Sequence, residues 1–357
     1  MIYYIVRREH SYVIDKYLES WGFASTAAFI RPLHYEQLWK MKKLPSGTYI
    51  FADIERLAPN ESEMTAKIWR QLSDSEEVRL LKHPTRSKRR YSLLRTLYSK
   101  GFNTFNVYRP NEYFQPKQYP VFIRGENDHE GNLTALIETP QELEKSLNQL
   151  LDEGYSLDDK LITEFCSTVD QDGIFRKYSA FIVGDKIIPR HLFFSHDWMI
   201  KSPKIFEEQQ LAEEYEYVRT NPHQNLLKEI FELAEIEYGR IDYSLSNGIP
   251  QVWEINTNPS SLSFNDICNK SQQKRTLTHQ HFAQEFALGF AEINLENSSK
   301  VNIPTLDQSN KSQDSRTYQL VKNIFLSMIE AFPYRLRLTS RRMAKLLNIK
   351  LKLKQQV

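Results

Sequence analysis

Two short runs on either side of Asn247-Gly248 constrain this chain more than any other feature. They are Gly239-Arg240-Ile241-Asp242-Tyr243-Ser244-Leu245 and Val252-Trp253-Glu254-Ile255-Asn256. An Asn-Gly pair between such runs is a strong short-range signal for a tight β-hairpin, because both residues tolerate positive φ. Side chains alternate faces along a strand. Ile241, Tyr243 and Leu245 therefore share one face, and Arg240, Asp242 and Ser244 the other. On the returning strand Trp253 and Ile255 lie opposite in sense to Glu254 and Asn256. One apolar face and one ionic face follow from parity alone, and a three-residue connection sets Asp242 directly across from Glu254.

Opposed carboxylates sit about 4.5–5.5 Å apart at Cβ, and such like-charge pairs weaken a sheet. Something must neutralise them. Magnesium takes oxygen ligands and is usually held by one or two carboxylates together with substrate phosphates. Asp242, Glu254 and the amide oxygen of Asn256 supply that set, and Arg240 stands two residues from Asp242, able to grip a phosphate with its fork. A plainer reading has the hairpin's charges facing water with Arg240 bridging the acids. That reading leaves Asn256-Thr257-Asn258-Pro259 without a task.

The rest of the chain supplies the context. Strand-like and helix-like stretches alternate over residues 1–85: strands at Ile2–Val6, Ala27–Ile30, Gly47–Ala52 and Val78–Leu81, helices at Ser11–Trp21, near Tyr35–Lys42 and at Glu61–Leu72. Such alternation predicts a small open parallel sheet. A helix at Ser87–Lys100 ends at Gly101. Strands follow at Val121–Arg124 and Leu161–Phe165, with a helix at Gln141–Leu151. Phe175–Val183 and Lys186–Phe194 form a second hairpin around Gly184-Asp185, and helices are expected at Asn225–Glu237 and His279–Ile293. Residues 295–315 are polar and read as a linker.

At 357 residues, 40% hydrophobic and 26% charged, the chain has the composition of a soluble globular protein of two or three units. Neither a membrane span nor a signal peptide is legible. Cys166 and Cys268 form no metal spacing or disulfide framework, so a cytoplasmic location is expected. The net charge of +2 hides a basic tail: Pro333–Val357 carries eight basic residues and no acid, which leaves the body at 2 − 8 = −6. A body of that sign argues against nucleic acid as a partner. The tail's apolar residues interleave with its cations, a pattern suited to a membrane surface, to a protein partner, or to a helix packed on its own domain.

The run "RIDYSLSNG…VWEINTNPS" resembles the C-terminal signature of the ATP-grasp superfamily, as in D-alanine–D-alanine ligase and glutathione synthetase. That resemblance implies an α/β (α+β) ATP-grasp fold, with an N-terminal α/β pre-grasp domain at 1–85 and an ATP-grasp domain at 86–294. The latter would divide into subdomains at about 100–170 and 171–294 that enclose ATP, followed by the linker at 295–315 and the tail at 316–357. It further implies that Asp242, Glu254 and Asn256 bind magnesium, with two ions expected and manganese an alternative. Arg240 would serve the phosphates and the tetrahedral intermediate.

Upstream, Tyr119-Pro120-Val121-Phe122-Ile123-Arg124 is similar to the family's strand bearing a phosphate-binding lysine, here Arg124. A planar fork in place of an ammonium alters the contact geometry. Arg90 stands in a second such slot. Gly125–Gly131 resembles the loop that closes over the triphosphate, although it is unusually acidic. Leu161–Cys166 resembles the adenine hinge, with Glu164, Phe165 and Cys166 at the nucleotide. On the second hairpin Lys177 and Arg190 are the candidates for phosphate or substrate-carboxylate contact, and parity does not choose between Arg176 and Lys177. His191, His196, Trp198 and Lys201 follow, where such enzymes shape the acceptor pocket.

The implied activity is an ATP- and magnesium-dependent carboxylate–amine ligase. It would work through an acyl phosphate, release ADP and phosphate, and act on small-molecule or peptide acids and amines. The alternatives are a kinase on the same scaffold, phosphorylating a hydroxyl, and a nucleotide-binding protein without turnover.

Overall fold

An apolar strand needs cover on both faces, and the chain begins with one. In the computed structural model, which describes residues 1–20, 24–112, 115–128, 131–262, 274–295 and 300–302, the strand β1 (Ile2–Val6) is buried along most of its length. The elements that follow are α1 (Tyr12–Ser20), α2 (Ala24–Phe29), β2 (Ile30–His34), α3 (Tyr35–Leu38), β3 (Lys43–Pro45), β4 (Gly47–Phe51), α4 (Pro59–Ser73) and β5 (Val78–Leu81). The first sheet has the order β2-β1-β4-β5 and is parallel throughout, as the alternation predicts. The second strand starts at Ile30 rather than Ala27. Residues through Phe29 continue a helix, and the β-branched residue opens the strand.

The next elements are α5 (Arg90–Ser99), β6 (Val107–Tyr108), β7 (Val121–Gly125), α6 (Pro140–Asp152) and β8 (Lys160–Glu164). Strands β6, β8 and β7 form a small antiparallel sheet. The helix α6 starts where the sequence says it should, with Pro140 in its first turn and Thr139 Oγ1 accepting the Glu142 N–H at 3.2 Å. Leu143 and Leu150 of α6 pack with Val121, Ile123 and Ile162 of the sheet in a core of their own.

The remaining elements are β9 (Phe175–Val183), β10 (Lys186–Ser195), α7 (Glu208–Thr220), α8 (Gln224–Ala234), β11 (Tyr238–Ser246), β12 (Ile249–Asn256), α9 (Thr276–Glu292) and β13 (Lys300–Asn302). They build a four-stranded antiparallel sheet, β10-β9-β11-β12, while β13 pairs with β3. The β9–β10 hairpin has the two-residue turn expected of it. The β11–β12 turn is also of two residues, not the three expected, and Asn247 (φ 50°) and Gly248 (φ 76°) take positive φ as a tight hairpin turn requires. The helix α9 lays Phe282, Phe286 and Phe290 at spacing four along one face, ring centroids 5.0 and 4.8 Å apart. Tyr17 of the first layer meets Phe286 edge-on at 5.1 Å, and Phe181 of β9 meets it at 4.9 Å. One hydrophobic core therefore joins the parallel and antiparallel sheets. The fold is mixed α/β, and Met1–Pro304 forms one compact unit. No described helix is long and apolar enough to cross a membrane. Cys268 and the basic tail lie outside the described residues.

The end of β12 is fastened to the parallel sheet by polar ties. Tyr4 Oη donates to Asn258 Oδ1 at 2.9 Å, the Ile54 amide to Thr257 Oγ1 at 3.2 Å, and Lys82 Nζ to the Thr257 carbonyl at 3.1 Å. Thr257 and Asn258 thus have a structural task, which the plainer reading of the hairpin lacked. Burial pushes the Lys82 ammonium down to about 7, against the pull of Glu55, Glu237 and Asp53. Unfolded, the same group keeps its proton to its ordinary value of 10.5. Between those values the unfolded chain binds more protons, so this group's contribution to stability rises with pH; below about 7 the full cost of the buried charge is present. The stability of the wild type relative to Lys82→Met should therefore improve from about pH 7 to pH 10, as read by denaturant unfolding. A difference that stays flat across that window contradicts the assignment.

Candidate functional site

The hairpin β11–β12 sets Asp242 opposite Glu254 and Arg240 opposite Asn256, the register expected from the sequence. The ladder then slips, for Tyr243 pairs with Val252 and Trp253 is left as an extra residue. Such a bulge bends the strand and re-aims a side chain. Trp253 consequently leaves the apolar face that simple alternation assigned to it. Its Nε1 donates to Ser244 Oγ at 3.0 Å, its ring stacks on Phe105 at 4.9 Å, and it lines a cavity together with Glu254.

That cavity, about 300 Å3, gathers most of the residues the sequence singled out: Arg124, Phe165, Cys166, Lys177, Arg240, Asp242, Glu254 and Asn256. The strand β9 resolves the choice that parity left open. Ser179 pairs with Asp242 in register, so Lys177 shares that face, and its Nζ lies 3.5 Å from Asp242 Oδ2. Arg176 is on the other side, paired with Asp170, Asp172 and Glu213.

Charge in the cavity is closely balanced. Asp242 is buried and accepts from Ser179 Oγ at 2.9 Å and from Arg240 Nε at 2.9 Å. Burial, the largest single influence, pushes its carboxyl up. The Arg240 guanidinium and the Lys177 ammonium together outweigh that, against Glu254, and hold it below the ordinary carboxylate value. Glu254 Oε2 receives two guanidinium groups, Arg90 and, at 2.9 Å, Arg124. Burial and the neighbouring Arg90 both lower the Arg124 pKa, with Glu254 pulling the other way.

Three expected residues stand elsewhere. Arg90 is buried outside the cavity, donating to the carbonyls of Gly125, Glu126 and Asp128 at 2.7, 3.1 and 2.9 Å and to Glu254. It ties down the loop after β7. Glu164 accepts from the amides of Asn106 and Lys117, each at 2.8 Å, and from Tyr108 Oη at 2.9 Å. A carboxylate so enclosed braces the hinge from behind, while Phe165 and Cys166 reach the cavity. Arg190 lines a neighbouring cavity.

Sequence reasoning had singled out neither Phe122 nor Thr168, and it gave Trp198 and Lys201 to an acceptor pocket; all four line the main cavity. Trp198 sits 5.2 Å from Phe122 and 5.4 Å from Phe165, building an aromatic wall. The signal for Phe122 was present, because β7 alternates around Arg124 and places Phe122 on the same face.

The donors available to a metal ion are two carboxylates and an amide oxygen, all hard oxygens. No group of three His, Cys, Asp or Glu side chains suited to a metal occurs among the described residues. Ligand phosphate oxygens would have to complete the shell, which is the arrangement magnesium favours. The residues therefore fit magnesium bound together with a phosphate ligand.

Fold and site together define a mixed α/β protein whose antiparallel sheet floors a cation-rich, aromatic-walled cavity with two carboxylates at its base. No protein-family model matches the chain, and no curated protein does. Solved structures similar to it include the D-alanine–D-alanine ligase of Bacillus anthracis, at 13% identity and a TM-score of 0.45, covering 82% of this chain and 96% of that one. The corresponding ligase of Coxiella burnetii shows 11% identity and a TM-score of 0.45, with coverage of 82% and 96%. The L-amino acid ligase of Bacillus licheniformis shows 11% identity and a TM-score of 0.39, with coverage of 90% and 84%.

Proposed function

We propose that the chain is an ATP- and magnesium-dependent carboxylate–amine ligase of the ATP-grasp type. One observation carries the reading: Asp242, Glu254 and Asn256 stand together on paired strands, at the base of a cavity that also holds Arg124, Lys177, Lys201 and Arg240. A polyphosphate with its metal suits such a base, and Phe122, Phe165 and Trp198 offer faces for a nucleobase. In this reading residues 1–85 form the pre-grasp domain and 86–294 the ATP-grasp domain.

Asp242, Glu254 and Asn256 would hold magnesium, which when bound offsets the charge of the transferring phosphoryl group. Arg124 and Lys177 orient the phosphates. The substrate carboxylate oxygen attacks the γ-phosphorus and the bond to ADP breaks, leaving an acyl phosphate and ADP. An amine then attacks the acyl carbon, loses a proton, and phosphate leaves. Arg240 steadies the oxyanion between those steps. Positioning and electrostatics carry the rate, and no protein nucleophile is required.

The nucleotide products test this. Incubated with magnesium, ATP, and panels of acids and amines, the protein should yield ADP and phosphate. AMP and pyrophosphate would mean adenylation and would overturn the reading. ADP formed with a hydroxyl compound and no acid would identify a kinase.

A further inference from the structure

A second cavity, about 360 Å3, adjoins the first and shares Lys177, Lys201 and Arg240 with it. The rest of its charged wall is Lys16, Arg190 and Arg275, and no Asp or Glu is among the described residues that line it. Six cationic side chains line this partly desolvated space; Lys177 and Arg240 are paired with Asp242 at its border and Arg275 with Glu214 behind it, and a wall of this sign draws anions.

The wall is built rather than accidental. The ladder between β9 and β10 slips between Pro189 and His191, so Arg190 is an extra residue. Regular alternation would send Arg190 and His191 to opposite faces, yet both line this cavity. Arg190 is buried, its Nε donating to the Ser261 carbonyl at 2.8 Å and its guanidinium lying 4.9 Å above the Phe282 ring. Arg275, also buried, is held by the buried Glu214, with Nε to Oε2 at 2.7 Å. Backing of this kind fixes a guanidinium in place. His191, only 5% exposed, lines the same cavity, and its Nε2 has no hydrogen-bond partner among the described residues. Burial, followed by Arg190, Arg240, Arg275 and Lys177, holds the His191 pKa well below its ordinary value. The ring is then neutral and able to donate to or accept from a bound group.

We propose that this cavity holds the acid substrate, and that this acid is a polyanion with one carboxylate at Arg240 and at least one further acidic group at Arg190, Arg275 and Lys16. The assignment rests on the ligase reading, since it gives the shared residues Lys177 and Arg240 to the border between phosphate and acid. The second acidic group can be a carboxylate or a phosphate; both accept charge-assisted bonds from guanidinium forks.

Calorimetric titration of the full chain, loaded with magnesium and a non-hydrolysable ATP analogue, tests the proposal. The probes are butyrate, glutarate, tricarballylate and 4-phosphonobutyrate. Glutarate, tricarballylate or 4-phosphonobutyrate should bind about tenfold or more tightly than butyrate, since one charged hydrogen bond is worth at least that factor. Whether the carboxylates or the phosphonate binds best identifies the second group. Lys16, exposed on α1, allows a variant that spares the core. Lys16→Glu should cut the advantage over butyrate about threefold or more, whereas Lys67→Glu, on an exposed position of α4, should not. Equal affinity for butyrate and the polyacids, with the analogue bound, would overturn the polyanion assignment and leave the ligase reading in place. Failure to bind the analogue at all would overturn the ligase reading, and this proposal with it.

Discussion

Glu254→Gln is expected to lower magnesium-dependent turnover about a hundredfold or more while the chain still folds, since metal charge stabilisation is worth several kcal/mol. The substitution keeps shape and removes charge. In the structure Glu254 Oε2 meets both Arg90 and Arg124, so the variant also weakens two charged hydrogen bonds. That adds a stability cost of about 1–3 kcal/mol. Activity must therefore be compared well below the variant's melting point, across a magnesium titration. The account predicts that raising magnesium does not restore the rate. Near-wild-type turnover at limiting magnesium would remove Glu254 from the metal site and leave it as a counter-ion for the two arginines.

The second large effect belongs to Arg90, and there the structure predicts a loss of stability. Its side chain is 6% exposed, and one guanidinium nitrogen serves three carbonyls of the loop after β7 while another reaches Glu254. Lysine keeps the charge but lacks the fork. Arg90→Lys should therefore cost about 3 kcal/mol, the lower end of what breaking a buried pair costs, measured by denaturant unfolding. Arg90→Ala should cost more. If Arg90 instead grips a phosphate, Arg90→Lys would weaken ATP binding while stability stayed unchanged, and that outcome would contradict the assignment made from the structure.

These two arginine-linked effects show which parts of the protein the sequence discloses. The pairing of Asp242 with Glu254 needs the bulge at Trp253, because the two-residue turn alone would set Asp242 opposite Trp253. The parallel order of the first sheet, by contrast, follows from local alternation, and the shared face of Arg240, Asp242 and Ser244 from strand parity. Both are short-range signals. Bulges are different: an extra residue at Trp253 and another at Arg190 break the period of two. They redirect the very side chains that line the two cavities. Parity could not choose Lys177 over Arg176, because the choice depends on β9 pairing with β11 across more than fifty intervening positions. The family resemblance assigned Arg90 and Glu164 to the nucleotide. The partners they have in the structure, Glu254 in one case and Asn106, Tyr108, Lys117 and Gln118 in the other, come from contacts that no local pattern encodes. Trp198 follows a strand with no periodicity of its own, and only its packing on Phe122 and Phe165 reveals its place.

The central claim is that the cavity passes a phosphoryl group to a carboxylate, and trapping with hydroxylamine tests it most directly. With magnesium, ATP and an accepted acid but no amine, added hydroxylamine should give a hydroxamate in amounts equal to the ADP formed. Arg240 serves mainly the second step in this account, so Arg240→Lys should reduce amide formation more than trapping. ADP release with no hydroxamate, across acids that stimulate ATP consumption, would contradict the account.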